Sequence, residues 1–349
     1  MARSAQTAAG HPPQANSSTV TLDMVAHEAG VSPSTVSRIL NKTARVRDSK
    51  VRAVEAAIAK LQFLPDPVAR ALARGKSMTI GVVTQALDSP FYGEALLAIE
   101  HGLVRSHYSP LFVSGHRREP DERKCVTDLL ARRVQGIILL NSCLAAAELV
   151  RLSRSVPLVL TGRHVVAEGI FCLDTDHTDA ARVATEYLIG QGHRRIVFIA
   201  GPATHPDALQ RLEGYKMALA SARISFNKRL VVAGDYMSAG GYAATLKLLD
   251  SKLAFSAIFA ANDQTAFGAL LALYRRGLRV PRDVSLIGFD DLPGAAFSIP
   301  PLTSVHRSIN EVGGCAAEAM IDMIAGRAPQ ATVPAPTLAI RESTRLLRE

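Results

Sequence analysis

Apolar residues recur at helical spacing from residue 20 to about 64, and from Met78 they come in short runs. Leu22, Val25, Ala26 and Ala29 fall on one face of a short helix. Gly30 interrupts it, and Ser32 supplies an N-cap ahead of Pro33 for a second helix, with Val36, Ile39 and Leu40 on its buried side. A third helix, capped by Asp48 or Ser49, presents Val51, Val54, Ile58 and Leu61. Pro65 and Pro67 break the pattern, and Asp66-Pro67 starts a further short helix carrying Val68, Ala69, Ala71 and Leu72 before Gly75. Two turns are marginal alone in water, so this segment orders only when something holds it.

From Met78 the period changes. Apolar runs at 79–83, 111–113, 136–140, 158–160, 196–200, 257–260 and 284–289 alternate with amphipathic stretches such as 92–107, 178–191 and 264–276. Strand-helix alternation of this kind predicts parallel sheets covered by helices on both faces. Seven or more strands predict two sheets and so two lobes, with a ligand cleft beyond the carboxyl ends of the strands.

Charge then separates the two regions. The chain has 349 residues and a formal net charge of +9. Residues 1–76 hold eleven Lys and Arg against five Asp and Glu, so two-thirds of the excess lies in under a quarter of the chain. The polyanion signal belongs to the first region. The four cysteines, Cys125, Cys143, Cys172 and Cys315, form no Cys-x-x-Cys pair and read as small buried residues in a reducing compartment. No apolar run reaches the length of a membrane span, and residues 1–18 read as a disordered tail without a signal-peptide core. The expected location is the cytoplasm, with no membrane partner.

The run from Thr21 to Asn41 carries the most specific chemistry. It reads as helix, tight glycine turn, helix. The second helix presents Pro33, Ser34, Ser37 and Arg38 outward, a face of small polar groups with one long cation that can approach a major-groove floor. Arg38 can donate two hydrogen bonds to a guanine edge, and Thr21, Ser32, Thr35 and Ser37 can reach phosphates. This run resembles the headpiece of the lac-repressor (LacI/GalR) family, and the likeness continues through 63–72, which resembles the family's hinge helix. The resemblance implies an all-α helix-turn-helix headpiece over 19–64, a hinge helix and linker over 65–77, and an α/β two-lobed core over 78–349 like periplasmic sugar-binding proteins. Lobe 1 would take about 78–176 and 307–336, and lobe 2 about 177–306 and 337–349. The resemblance adds Leu22, Asn41 and Ala69 to the DNA-facing set. It also makes Leu72 an apolar wedge in the minor groove, where unstacking a base step costs a few kcal/mol and is offset by the bend it allows. Pro33 and Ser34 stand where larger base-reading residues are common, which shifts readout toward Arg38.

The core resembles the same family's regulatory domain through motifs at strand ends, among them Asp88 to Tyr92, Thr161-Gly162-Arg163, Arg211 to Tyr215, Asn262-Asp263 and Asp290-Asp291. The segment 299–305 looks like a crossover between lobes, and 340–344 like the family's closing strand. A polyhydroxylated ligand needs flat apolar faces, here Phe91 and Tyr236, and paired hydrogen-bonding groups, here Arg163, Arg211, Asn262 and Asp290. Arg307 and His116 would add positive charge for a sugar acid or phosphorylated sugar. Asp174, Asp176 and His177 read as ligand contacts or as caps that link the lobes. The implied protein is a regulator of carbohydrate-utilisation genes, a homodimer on a near-palindromic operator, switched by a sugar or sugar acid, with no cofactor, metal or catalytic site.

Two rivals differ in testable ways. A transport-type sugar-binding protein needs export and has no use for a headpiece. An enzyme of doubly wound fold needs a phosphate or nucleophile motif. Gly75-Lys76-Ser77 lacks the earlier glycine of a phosphate loop, because Arg70 stands there. The sequence has no Gly-x-Gly-x-x-Gly after a strand, no His-Glu-x-x-His and no Gly-x-Ser-x-Gly.

Overall fold

The computed structural model describes residues 20–41, 44–63 and 77–347. The expected tail and the hinge segment through Lys76, with Ala69 and Leu72, lie outside those residues. The chain divides into two compact units between Ser77 and Met78.

The first unit contains α1 (Leu22–Glu28), α2 (Pro33–Asn41) and α3 (Asp48–Leu61). Thr21 caps α1, its hydroxyl accepting the Met24 amide at 3.4 Å. Gly30 sits at φ +62°, the left-handed conformation that turns α1 into α2 and that a side chain would disfavour. The Ser32 hydroxyl accepts the Thr35 amide at 3.3 Å, as its cap role requires. The third helix departs from expectation: Arg47 is its N-cap and makes no side-chain cap bond. Asp48 is instead the first helical residue, where its charge favours the helix N-terminus. Val25, Val36 and Val54, one from each helix, form a small closed core with Ala26, Ala57 and Phe63.

The second unit holds two sheets. One contains β1 (Thr79–Thr84), β2 (Ser109–Ser114), β3 (Gly136–Leu140), β4 (Leu158–Thr161) and β5 (Ile170–Leu173), in the order β2-β1-β3-β4-β5, all parallel. The other contains β6 (Ile196–Ala200), β7 (Val231–Ala233), β8 (Ala257–Ala260), β9 (Ser285–Asp290), β10 (Thr303–His306) and β11 (Thr337–Ala339), in the order β11-β10-β9-β8-β6-β7. Only the β10–β11 pair is antiparallel among the described strands. The central strands are apolar without alternation because both faces are covered; β3 and β9 are buried at every residue.

The first sheet is packed by α4 (Pro90–Arg105), α5 (Glu119–Ala131), α6 (Ala146–Ser153) and, returning late in sequence, α12 (Ile309–Ile324). The second carries α7 (His177–Gly190), α8 (Pro206–Ser221), α9 (Ser238–Asp250), α10 (Asp263–Arg275) and the short α11 (Pro293–Phe297). The chain therefore passes between the two sheets after β5, after β10 and after α12.

Several expectations need correcting. Residues 303–306 pair with β9 as a strand, so the crossing lies at Arg307-Ser308 and not along 299–305. The closing strand is Thr337–Ala339. Residues 340–344 are irregular, although the Ser343 hydroxyl bridges the Leu286 carbonyl at 2.6 Å and the Thr303 amide at 2.8 Å. The cysteines are not buried: Cys143 is exposed and the other three are partly so. Among the described residues no helix is long and apolar enough to cross a membrane.

Candidate functional site

The first unit offers one helix face. Pro33, Ser34 and Arg38 are exposed on α2, and Thr35, Ser37 and Asn41 are half-buried beside them. The Ser32 hydroxyl bonds to those of Ser34 and Thr35, at 2.9 Å each, and Asn41 donates to the Ser37 hydroxyl at 3.3 Å. Thr21 is exposed at the start of α1. Arg38 has no side-chain partner among the described residues, so its guanidinium is available to an outside acceptor. Leu22 packs half-buried against the three-helix core, as its place on the apolar face of α1 requires.

In the second unit a cavity of about 360 Å³ opens at the carboxyl ends of both sheets. Its position follows from strand order. Each sheet reverses direction of growth beside its first strand, between β1 and β3 and between β6 and β8, and a crevice forms where the connections diverge.

Arg211, one turn into α8, anchors the lobe-2 wall and is 2% exposed. Its Nη2 lies 3.3 Å from Asp207 Oδ2 and 3.7 Å from Asp290 Oδ1, and its Nη1 donates to the Ala261 carbonyl. The guanidinium also lies over the Phe289 ring, 3.9 Å from its centroid. Arg307 donates to the same Asp290 oxygen at 3.1 Å, so one carboxylate links two arginines. Burial pushes the Asp290 carboxyl up from its ordinary range and the Arg307 guanidinium down, each restrained by the other's charge. The Tyr236 hydroxyl donates to Asp207 at 3.2 Å. A Cβ at Gly201 would come within 2.2 Å of the Tyr236 ring, so glycine there makes room for it. Asn262 caps α10 through the Thr265 amide at 2.9 Å and donates to the Tyr236 carbonyl at 3.0 Å. Asp263, behind it, accepts from Ser304 at 2.5 Å and from the Leu292 amide at 2.7 Å, and burial raises its carboxyl well above the ordinary range. The wall thus combines fixed acceptors, fixed donors and aromatic faces, which suits a ligand rich in hydroxyl groups.

Comparison with known proteins fits both halves of this description. Residues 21–66 match the model for bacterial regulatory proteins of the lacI family, and 185–344 match the periplasmic binding protein-like domain. The ribose operon repressor of Escherichia coli is 34% identical over 306 residues, covering 87% of this chain and 93% of the relative. The transcriptional regulator GalR of Salmonella typhimurium is 35% identical over 327 residues, covering 93% and 95%. The chain belongs to the lacI family of bacterial regulatory proteins. The lac repressor dimer bound to operator and the anti-inducer ONPF superimposes with a TM-score of 0.84 at 29% identity, covering 93% of this chain and 99% of that one.

Of the residues proposed for this lacI-family cleft, Phe91, Arg211, Tyr236, Asn262, Asp290 and His116 line the cavity. Arg163 does not. It follows β4, one strand removed from the β1/β3 crevice, and its Nη1 is held by the carbonyls of Ser142 at 3.1 Å and Leu144 at 2.6 Å. Arg307 stands behind the wall, bound to Asp290 and 5.3 Å from the Phe91 centroid. Asp176 caps α7 through the Asp179 amide at 2.8 Å, and Asp174 accepts the Thr175 amide at 2.9 Å; neither lines the cavity. Sequence reasoning missed Gln85, Arg117, His205 and Asp207, all of which do.

His177 opens α7 just after the chain has crossed between sheets. It is buried, its ring 5.9 Å from that of Phe289, and neither nitrogen has a partner among the described residues. Burial holds it well below the ordinary histidine range, and the nearby charges of Arg307 and Arg211 push the same way. The folded state therefore keeps the ring neutral while the unfolded chain protonates it, so His177 removes stability as pH falls below about 6.5. Burial lowers His193 and His205 too, and the raised carboxyls of Asp263 and Asp290 act in the opposite sense. Comparison with His177→Phe isolates the one ring. Between pH 7.5 and 5.5, wild type is expected to lose up to about 1.4 kcal/mol more than the variant, read from urea midpoints. Equal losses would show that His177 is not held neutral.

Proposed function

We propose that this protein is a sequence-specific transcriptional repressor of carbohydrate-utilisation genes, reading a near-palindromic operator as a homodimer and switched by a sugar or sugar acid in the cleft. One observation carries the reading. The same chain holds a helix face of hydroxyls around a cation, Arg38, that has no partner among the described residues, and a polar-aromatic cleft built from the strand ends of two sheets. The first suits a base edge flanked by phosphates, and the second suits a polyol. Relatives support the pairing: the lac repressor was solved as a dimer on its operator, and the regulator CelR, 33% identical, as a cellobiose complex.

A symmetric partner also has apolar surface to cover. Leu271 and Tyr274 are exposed on α10, with Phe297 exposed at the end of α11 and Ile299 just beyond it; Tyr274, Phe297 and Ile299 are 78%, 85% and 93% accessible. Large apolar residues this open, on adjacent elements of one lobe, favour burial against a second copy. Selection from a random duplex library with the purified full chain tests the reading. An inverted repeat is expected to emerge. Enrichment of no sequence overturns DNA reading, and enrichment of a lone half-site overturns the dimer.

A further inference from the structure

The loop between β2 and α5 carries two consecutive non-glycine residues in the left-handed region, His116 at φ +51° and Arg117 at φ +57°. Such backbone is unfavourable for a residue with a Cβ and persists only where its surroundings enforce it. Here a buried polar relay does so. Glu122, fully buried, accepts from the Cys143 amide at 2.7 Å and from the Gln85 side-chain amide at 3.3 Å. Gln85 in turn accepts the backbone N–H of Arg117 at 3.1 Å. At the start of the loop the Gly115 amide donates to the Thr84 carbonyl at 2.8 Å. A carboxylate and an amide taken out of water thus fix the backbone of a single arginine, and Gln85, His116 and Arg117 all line the cavity.

The cleft arginines are not evenly partnered, although Glu122 places a buried carboxylate behind the Arg117 loop, its bonds going to the Cys143 and Gln85 amides. Arg211 and Arg307 have Asp207 and Asp290 beside them. The Arg117 guanidinium is half-buried and has no acceptor among the described residues. Asp88 also lines the cavity, but it is exposed, where solvent and salt weaken its field. Sixteen-residue α4 opens at the same wall through Ser89 and Pro90, with no side-chain cap and no acidic residue in its first turn, so its dipole adds positive potential.

We propose that the ligand of this cleft carries an anionic group, a carboxylate or a phosphate on a polyhydroxylated skeleton, and that Arg117 receives it. The inference rests on the cleft being the effector site. Arg117 is the specificity determinant, and the Glu122–Gln85 relay is the positioning device behind it. An arginine fork matches either anion geometrically.

Calorimetry on the full chain tests this with ribose, glucose and galactose, each offered as the aldose, the aldonate and the terminal phosphate. At least one anion is expected to bind about tenfold or more tighter than its parent aldose, with the preference shrinking in about 0.5 M salt. Arg117→Gln is expected to abolish the preference and Arg117→Lys to keep most of it, with melting midpoints confirming that both variants fold. The aldonate and phosphate arms separate the two sources of charge. The inference is overturned if no anion binds, if a neutral aldose binds as tightly as its anions, or if Arg117→Gln leaves their ratio unchanged. Its failure can be told apart from failure of the cleft reading. Binding of a neutral aldose that Asp290→Asn abolishes leaves the cleft standing and removes only the anion. Binding insensitive to both Asp290→Asn and Asn262→Ala removes the cleft itself.

Discussion

Arg211→Ala is expected to lower the main unfolding transition of the full chain by roughly 10 °C. Among the described residues Asp207 would keep the Tyr236 hydroxyl alone, and Asp290, buried, would keep Arg307 alone. Removing one partner of a buried ion pair costs about 3–5 kcal/mol, because the other charge stays desolvated. The Ala261 carbonyl loses its donor and the Phe289 ring loses the cation over its face. For a unit of this size each kcal/mol is worth about 2–4 °C. Arg211→Lys is expected to fall between variant and wild type, since an ammonium keeps the charge but cannot serve three acceptors from one plane. A scanning-calorimetry shift under about 2 °C for the alanine variant would show that the network does not hold the wall together.

The fold was legible where burial is complete. Strands β3, β6 and β8 are apolar along their whole length and β1 and β9 through their middles, and the starts of α4, α7 and α10 fall within two residues of the expected ones. Strands β5 and β7 escaped notice for opposite reasons. The first is a half-buried edge containing Cys172, and the second spans only three residues. The site was legible where a polar residue closes or follows an apolar run at a strand end, which is why Asn262 and Asp290 were found. Arg163 and Arg307 looked equivalent in sequence to the residues that line the cavity, but the Ser142 and Leu144 carbonyls hold the first and Asp290 holds the second, tertiary contacts that no local pattern announces. Gln85 did carry a signal, a polar residue two positions after the run 79–83. Arg117 carried none, because its conformation depends on a buried glutamate five residues ahead and a glutamine from another strand.

Arg38→Ala is expected to weaken operator binding by about 10- to 100-fold, or about 1–3 kcal/mol, and to relax specificity at one position in each half-site. The exposed guanidinium stands among small hydroxyl-bearing neighbours that let the helix approach closely, so its two donors can meet a guanine edge. Binding to random duplex should fall much less, because one charge among many phosphate contacts is lost there. A phosphate role predicts a different outcome: affinity falls evenly across sequences, and the salt slope drops by about one. Fluorescence anisotropy on operator and scrambled duplex, each at three salt concentrations, separates the two.

The central claim is that the helix-turn-helix unit reads DNA under control of the cleft. Its most direct test is the operator dissociation constant of the full chain with and without a saturating concentration of the tightest cleft ligand, at fixed salt. A change of about fivefold or more is predicted, absent in Asp290→Asn at the same ligand concentration. An identical constant in both conditions, with calorimetry showing the cleft filled, would contradict it.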